Sequence, residues 1–166
     1  MTIIDELVEN NRAYSERVPD QQLDVKPSRQ LTIVTCMDSR LDAFQALGLN
    51  DGEAHVLRNA GGVITDDMIR SLAISQRRLG TRSVMLIHHT NCGMQTITDD
   101  GFRAELQEAT GTAPAFAIES FTDAESDVAQ SIRRVRRSEF IPHREDVRGF
   151  VFDVNTGALS EVVVED

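Results

Sequence analysis

An apolar run rich in β-branched residues, from Leu31 to Thr35, ends abruptly in a thiol, a carboxylate and a guanidinium at Cys36, Asp38 and Arg40. Such a run is typical of a parallel strand that is covered on both faces of its sheet. In open α/β sheets, ligands bind beyond the carboxyl ends of the strands. The run therefore predicts a buried strand whose last residue, Cys36, begins a site.

The same stretch has simpler interpretations when it is taken alone. A single Cys at the end of a strand is often only a small buried hydrophobic residue. Asp38 or Ser39 also suits the start of a helix near Leu41, because both side chains cap helices well. The spacing of Asp38 and Arg40 nevertheless allows the guanidinium to hold the carboxylate through a bidentate pair once the chain turns.

Strand patterns and helical patterns alternate along the rest of the chain. Further strands are predicted over 54–57, 83–88, 147–154 and 158–164, and the last two flank a turn at 155–157. Amphipathic helical patterns begin at Thr65, at Thr98, and at Thr122, where Thr122 and Glu125 have the spacing of a capping box. The predicted fold class is α/β, with a mostly parallel central sheet, an antiparallel edge strand and flanking helices.

The N-terminus has its own helical signal. Thr2 to Asp5 has the spacing of a capping box, and a mostly helical apolar stripe follows at Ile3, Ile4, Leu7, Val8 and Tyr14. This pattern predicts a helical arm at about residues 2–15. The arm needs an apolar surface, which either its own domain or a partner subunit could supply.

The length and charge of the whole chain exclude several classes of protein. A length of 166 residues predicts one domain, residues 1–166, with a sizeable core. A net charge of -10 repels nucleic acids and anionic membranes, so neither is an expected partner. The arginines near the end of the helix that begins at Thr122 suit its negative dipole end. Without a signal pattern or a membrane-spanning run, a cytoplasmic location is expected.

Two thiols and an imidazole form a candidate metal site. Cys36 ends one predicted strand, and His89 and Cys92 follow another in a His-x-x-Cys arrangement. Zinc favours these ligands, and three of them leave a fourth position for water or substrate. Asp38 could fill that position and close the site. Without a metal, the two cysteines could instead form a disulfide or a redox pair.

His88 and His89 compete for the role of ligand. Alternation along a strand turns the two side chains to opposite faces of the sheet. The short spacer between His89 and Cys92 favours His89, which leaves His88 as a core imidazole or as a support behind the ligands. Glycines allow the backbone to approach a ligand closely, as Gly93 would, although paired glycines such as Gly61 and Gly62 are most often simple turns.

These motifs resemble those of the β-class carbonic anhydrases. The segment 36–40 resembles their Cys-x-Asp-x-Arg motif, 89–93 resembles their His-x-x-Cys-Gly motif, and 58–62 resembles a segment that these proteins carry near the site. The short chain, with Met94 in place of a second glycine and Tyr14 as its only tyrosine, is most similar to the compact archaeal and actinobacterial branch.

The resemblance implies Zn²⁺ held by Cys36, His89 and Cys92, with Asp38 and Arg40 as a catalytic dyad. It also implies homodimers, or larger assemblies of dimers, with sites near the subunit interface. Ser39, Arg58, Gly61, Gly62 and His88 are candidates for the pocket or for support of the ligands.

The expected reaction is the reversible hydration of carbon dioxide to bicarbonate and a proton, with a water acidified by zinc as the nucleophile. Ionised Asp38 would orient the nucleophile, and the Gly93 N–H would hold a bicarbonate oxygen. His55, His88 and His143 are candidate proton shuttles. The alternatives are a related hydrolase of carbon disulfide or carbonyl sulfide, a non-catalytic zinc-stabilised binding module, and a thiol redox protein.

Overall fold

A five-stranded sheet forms the centre of the molecule in the computed structural model, which describes residues 2–164; Met1 and residues 165–166 of the predicted domain lie outside the described residues. The strands are β1 (Leu31–Cys36), β2 (Ala54–Asn59), β3 (Ser83–His89), β4 (Val147–Phe152) and β5 (Leu159–Val162). Their order across the sheet is β2-β1-β3-β4-β5. All neighbours are parallel except β4 and β5, which are antiparallel. The predicted fold class is confirmed.

Within residues 2–164, five helices accompany the sheet: α1 (Ile3–Ser15), α2 (Ala43–Leu47), α3 (Asp66–Leu79), α4 (Asp99–Thr110) and α5 (Ala124–Arg137). Short 3₁₀ turns at Ala60–Gly62 and Gly93–Gln95 follow β2 and β3. The predicted caps Thr65 and Thr98 are confirmed, since each side chain accepts a hydrogen bond from a first-turn amide of its helix. Alternating strands and helices thus bring the carboxyl ends of β1 and β3 side by side.

Two predicted helix starts are wrong by a few residues. Asp42, and not Asp38 or Ser39, caps α2, because its side chain accepts a hydrogen bond from the Gln45 amide. At α5 the cap is Asp123, whose carboxylate accepts a 2.7 Å bond from the Ser126 amide. Thr122 therefore makes no capping box, since the carboxylate one residue later takes its place.

The main core lies between one face of the sheet and the helices α3 and α5. Leu72 of α3 and Ile132 of α5 are buried against Val34 and Leu86 of the strands. Gly149 of β4 allows α5 to approach closely, because a Cβ there would collide with Val128 and Ile132 of the helix. A second core, which includes Ile33, Ile87 and Phe152, covers the opposite face under α2. The strand ends that carry the site are thus held from both sides.

Helix α1 is an exposed arm. Its predicted capping box is confirmed, with Thr2 and Asp5 bonded to each other's backbone amides. None of residues 3–15 is buried, and Ile4 and Leu7 of the apolar stripe are 68% and 57% exposed. Among the described residues, no helix combines the length and the apolar character that crossing a membrane requires.

Candidate metal centre

Three potential metal ligands meet beyond the carboxyl ends of β1 and β3. Cys36 is the last residue of β1, His89 is the last residue of β3, and Cys92 lies on the turn that follows. The sulfur atoms of Cys36 and Cys92 are 4.0 Å apart, and one donor atom from each residue lies within 4.8 Å of the other two. All three residues are buried. The predicted convergence of the two strand ends is therefore present.

The imidazole of His89 is oriented as a metal ligand would be. Its Nδ1 is 2.9 Å from the Thr90 carbonyl oxygen, while its buried Nε2 has no hydrogen-bond partner among the described residues. An unpartnered buried nitrogen is unfavourable, and metal-bound histidines commonly donate their other N–H to a carbonyl. Two thiols and this nitrogen make a donor set that zinc prefers. The residues thus fit the ion.

The two thiols have different electrostatic surroundings. The Cys92 thiol hydrogen-bonds the Cys36 sulfur, which lowers the pKa of Cys36. The same contact, together with burial, raises the pKa of Cys92. The Gly61 amide also donates to the Cys36 sulfur at 3.3 Å. A thiolate at Cys36 would thus accept hydrogen bonds from both the Cys92 thiol and the Gly61 amide, and thiolates are the form that binds metals.

Asp38 and Arg40 form the bidentate pair that their spacing predicts. The Arg40 Nε donates to Oδ1 of Asp38 at 2.9 Å, and Nη2 donates to Oδ2 at 2.7 Å. These bonds, and a further one from the Arg40 amide, hold the pKa of Asp38 well below its usual value. Oδ2 lies 3.6 Å from Nε2 of His89. Asp38 is thus ionised beside the ligands, while both its oxygens are held by Arg40.

Two arginines fix the loops that carry the ligands. Arg40 also donates from Nη2 to the Asn91 carbonyl oxygen at 2.9 Å, which joins the Asp38 loop to the His-x-x-Cys turn. Arg58 donates to the carbonyl oxygens of Cys36 at 2.8 Å and of Asp38 at 2.7 Å. Arg58 thus supports the ligand loop through its main chain.

A cavity of about 200 Å³ opens beside the ligands, and its lining consists of Cys36, Met37, Asp38, Ala60, Gly61, Cys92, Gly93 and Met94. Gly61 and Gly93 of the predicted pocket residues lie in this wall, with open space beside Gly93. Gly62 lies behind the wall, where a Cβ would be 2.8 Å from the Cys36 amide nitrogen. Ser39 is exposed and outside the lining.

The three remaining histidines lie outside this lining. His88 is fully buried on the other face of β3, and its Nε2 is 2.7 Å from the Asp127 carboxylate. His55 hydrogen-bonds Ser75 through Nδ1, and His143 pairs through its backbone with Gln76. The structure therefore gives none of them a direct contact with the cavity.

Three other residues contribute to the site and were not predicted from the sequence. Asn91 has a positive φ of 53° and presents its carbonyl to Arg40. Gln95 accepts from the Cys92 amide at 3.3 Å and donates to Thr122, which anchors the turn. Gln95 stands three residues after Cys92, a capping-box spacing that could have indicated this bond. No sequence pattern indicates Asp127, because its contact with His88 depends on how α5 packs against β3.

Known proteins share the sequence and the fold. A family model described as carbonic anhydrase matches residues 31–159. Beta-carbonic anhydrase 1 of Mycobacterium tuberculosis is 52% identical over 162 residues, covering 98% of this chain and 99% of that protein. The crystal structure of a carbonic anhydrase from Streptococcus mutans matches with a TM-score of 0.92 at 41% identity, covering 98% of this chain and 99% of that one. A carbon disulfide hydrolase of Acidithiobacillus thiooxidans is 33% identical over 84% of this chain and 80% of its own length.

A family match over most of the chain, an identity of 52% to a relative of nearly equal length, and a shared fold lead to one conclusion. The chain belongs to the β-carbonic anhydrase family, whose members are carbonate dehydratases and hence lyases.

Proposed function

We propose that this chain catalyses the reversible hydration of carbon dioxide to bicarbonate and a proton, with zinc held by Cys36, His89 and Cys92. One observation carries the proposal: donor atoms of Cys36, His89 and Cys92 converge, and the buried His89 nitrogen has no hydrogen-bond partner among the described residues. An ionised Asp38 stands beside these three donors. A closed structural zinc site would have four protein ligands, whereas here both oxygens of the nearest carboxylate are engaged by Arg40. The donor set therefore leaves one position for chemistry.

The residues of the chain would each supply a defined part of the reaction. Zinc, when bound, would acidify water and so provide a nucleophile near neutral pH. Asp38 would accept a hydrogen bond from this nucleophile. That bond would orient a lone pair of the nucleophile towards the substrate carbon. Arg40 keeps Asp38 ionised and in one orientation, because it holds both carboxylate oxygens.

The cavity suits a small uncharged substrate. Its volume is about 200 Å³, and the side chains of Met37 and Met94 make part of its wall apolar. The Gly93 amide would donate to the oxygen on which negative charge develops, as backbone amides do in oxyanion holes. The product is an anion, and the ionised Asp38 would repel it from the site.

Metal analysis combined with a stopped-flow assay of carbon dioxide hydration tests this proposal. The wild type should hold one zinc per chain, and Asp38→Ala should keep the zinc but lose activity by about 10²- to 10⁴-fold, the usual contribution of a positioned acid or base. Cys92→Ser should lose the zinc and the activity together. Full activity in Asp38→Ala, or in wild type stripped of zinc, would exclude the proposal.

A second candidate is the hydrolysis of carbon disulfide or carbonyl sulfide. The specific reason is that the relative from Acidithiobacillus thiooxidans, at 33% identity, is named a carbon disulfide hydrolase. The same ligands and the same Asp38 would act on a linear sulfur analogue. Hydrogen sulfide release from carbon disulfide, measured beside carbon dioxide hydration on one preparation, separates the two reactions.

The non-catalytic candidates make different predictions. In a zinc-stabilised binding module, the Asp38 and Arg40 pair would be incidental, so no hydration activity would depend on it. In a thiol redox protein, Cys36 and Cys92 would bond to each other and freshly purified protein would contain no zinc. The metal analysis and the Asp38→Ala assay therefore test both alternatives as well.

For the assembly, we propose that residues 1–166 form one domain and that two copies form a dimer. The apolar stripe of α1, with Ile4 and Leu7 more than half exposed, supports a surface that a partner subunit covers. A cytoplasmic location, which cell fractionation would test, also remains our proposal.

A further inference from the structure

His88 and Asp127 form a buried contact that the proposed reaction does not use. His88 of β3 is 0% exposed, and its Nε2 lies 2.7 Å from Oδ2 of Asp127 on α5. Its Nδ1 is also buried and has no hydrogen-bond partner among the described residues. A phenyl ring would fill this space without an unpartnered nitrogen. The imidazole therefore has a use that packing alone does not explain.

The His88 ring lies beside a phenyl ring that belongs to the same buried cluster as two of the candidate ligands. Its centroid is 5.1 Å from that of Phe121, and the two ring planes are tilted by 32°. Phe121 is buried in the same cluster as Cys36 and Cys92. A bond from Asp127 that fixes the imidazole therefore also fixes the position of the phenyl ring.

Phe121 in turn lies against the residue that hydrogen-bonds a ligand. A Cβ built on Gly61 would be only 3.0 Å from Cε1 of Phe121, so the ring edge lies directly against this glycine. The Gly61 amide donates to the Cys36 sulfur at 3.3 Å. Contacts therefore run without a gap from the Asp127 carboxylate to the Cys36 sulfur.

We propose that Asp127 is a positioning residue for the metal centre: it fixes His88, which holds Phe121 against Gly61 and so sets the Gly61 hydrogen bond to Cys36. The inference rests on the proposed function, because it takes Cys36 as a zinc ligand. Groups behind the ligands commonly change metal affinity or activity by about 10- to 100-fold when they are removed. Asp127 would act through this chain of contacts and would not touch the substrate.

The experiment measures the metal itself as well as the activity. Zinc affinity is measured by competition with a chromogenic chelator, and the visible spectrum of the cobalt(II) form reports the geometry around the ion. Asp127→Ala should weaken zinc binding by about 10-fold or more and shift the cobalt bands. Asp127→Asn keeps an oxygen acceptor for Nε2 of His88, so its zinc affinity and its cobalt spectrum should both stay close to those of the wild type. Glu125→Ala, on an exposed position of the same helix, should change neither.

A double-mutant cycle tests the route. His88→Phe keeps a ring beside Phe121 but removes the bond to Asp127, and it provides a second variant if Asp127→Ala does not fold. In the His88→Phe background, Asp127→Ala should cause no further loss of zinc affinity. Additive losses, or unchanged zinc affinity and cobalt spectrum in folded Asp127→Ala, would overturn the inference. A wild type without stoichiometric zinc would instead overturn the proposed function.

Discussion

Arg40 and Arg58 organise the candidate centre in different ways. Arg40 binds the side chain of Asp38 and the carbonyl oxygen of Asn91, whereas Arg58 binds the carbonyl oxygens of Cys36 and Asp38. The motif spacing predicted the first pair, because Asp38 and Arg40 are close in sequence. Contacts between residues that are 20 or more positions apart in the sequence, such as Arg58 with Asp38, depend on how the strands pair. They could not be predicted from motif spacing.

The state of Asp38 leads to a prediction for the pH dependence of the reaction. Arg40 holds the pKa of Asp38 well below its ordinary value of 3.8, so the carboxylate is ionised at and above that pH. Its stabilising contribution is fully present above pH 3.8 and is lost only as the pH falls through the lowered pKa. Asp38 therefore does not titrate near neutrality. Activity should rise between about pH 7 and pH 9, since two thiolate ligands acidify water less than three imidazoles do.

A pH–rate profile of carbon dioxide hydration, recorded over this range in several buffers, checks the expectation. A flat profile would contradict it. Arg40→Leu provides the comparison, because the pKa of Asp38 should move up towards its ordinary value when the guanidinium is removed. The variant should lose activity at every pH, since Asp38 also loses its fixed orientation.

Gly62 is expected to be essential for the position of Cys36. It has a φ of 70°, and a Cβ there would lie 2.8 Å from the backbone of Thr35 and of Cys36. Gly62→Ala should destabilise the protein by about 1–3 kcal/mol and weaken zinc retention, because the strand end must move. Urea unfolding and zinc stoichiometry measure the two effects. Gly93→Ala, with nothing within 4 Å of the added atom, should keep the stability and the zinc.

At the level of helices and strands, local signals predicted most elements. The β-branched run gave β1, and the caps at Thr65 and Thr98 began helices α3 and α4 as expected. The start of α5 was less well predicted, because Thr122 and Asp123 are adjacent and both are good caps. Which of the two caps α5 depends on the residue at which the helix begins, and that residue is set by the folded structure.

The corrected cap of α5 is open to a direct test. Asp123→Ala should lower the midpoint of urea unfolding, because the Ser126 amide loses its acceptor. Thr122→Ala should leave the midpoint nearly unchanged and serves as the matched control. The hydrogen bonds to Ser126 lower the pKa of Asp123, so the difference between the variants should hold at neutral pH and fade below about pH 3.8. Equal effects of the two substitutions would show that the cap is assigned wrongly.

At the scale of the whole molecule, the exposed apolar stripe of the arm α1 is the feature that packing within one chain does not explain. The sequence predicted its cap and its stripe but left open what the stripe contacts. The structure shows that none of its side chains is buried within the described chain. An apolar face on a helical arm is the kind of surface that subunit association covers.

A charge in this stripe should weaken the proposed dimer. Leu7→Glu is expected to reduce dimerisation by about 10-fold or more, because burial of one leucine side chain is worth roughly 1.5–3 kcal/mol. Sedimentation velocity over a range of concentrations measures the change. Ala13→Glu adds the same charge away from the stripe and should leave the dimer intact. A wild type that sediments as a monomer at every concentration would contradict the prediction.

The sheet order is another property of the whole molecule. Alternating patterns predicted parallel strands and the antiparallel edge, and both are confirmed. The adjacency of β1 and β3 was not predicted as such, although it brings Cys36 and His89 together. The candidate ligands follow from their motifs, whereas contacts behind them, such as that of Asp127 with His88, depend on the packing of α5 on the sheet.

The hold of Arg58 on two carbonyl oxygens also bears on redesign of the cavity mouth. Contacts to carbonyl oxygens do not depend on which side chain the residue carries, so the exposed side chain of Met37, which lines the cavity, is not needed to hold this loop. A library at Met37 should therefore alter the wall of the cavity while the Cys36 thiol and the Asp38 carboxylate keep their places.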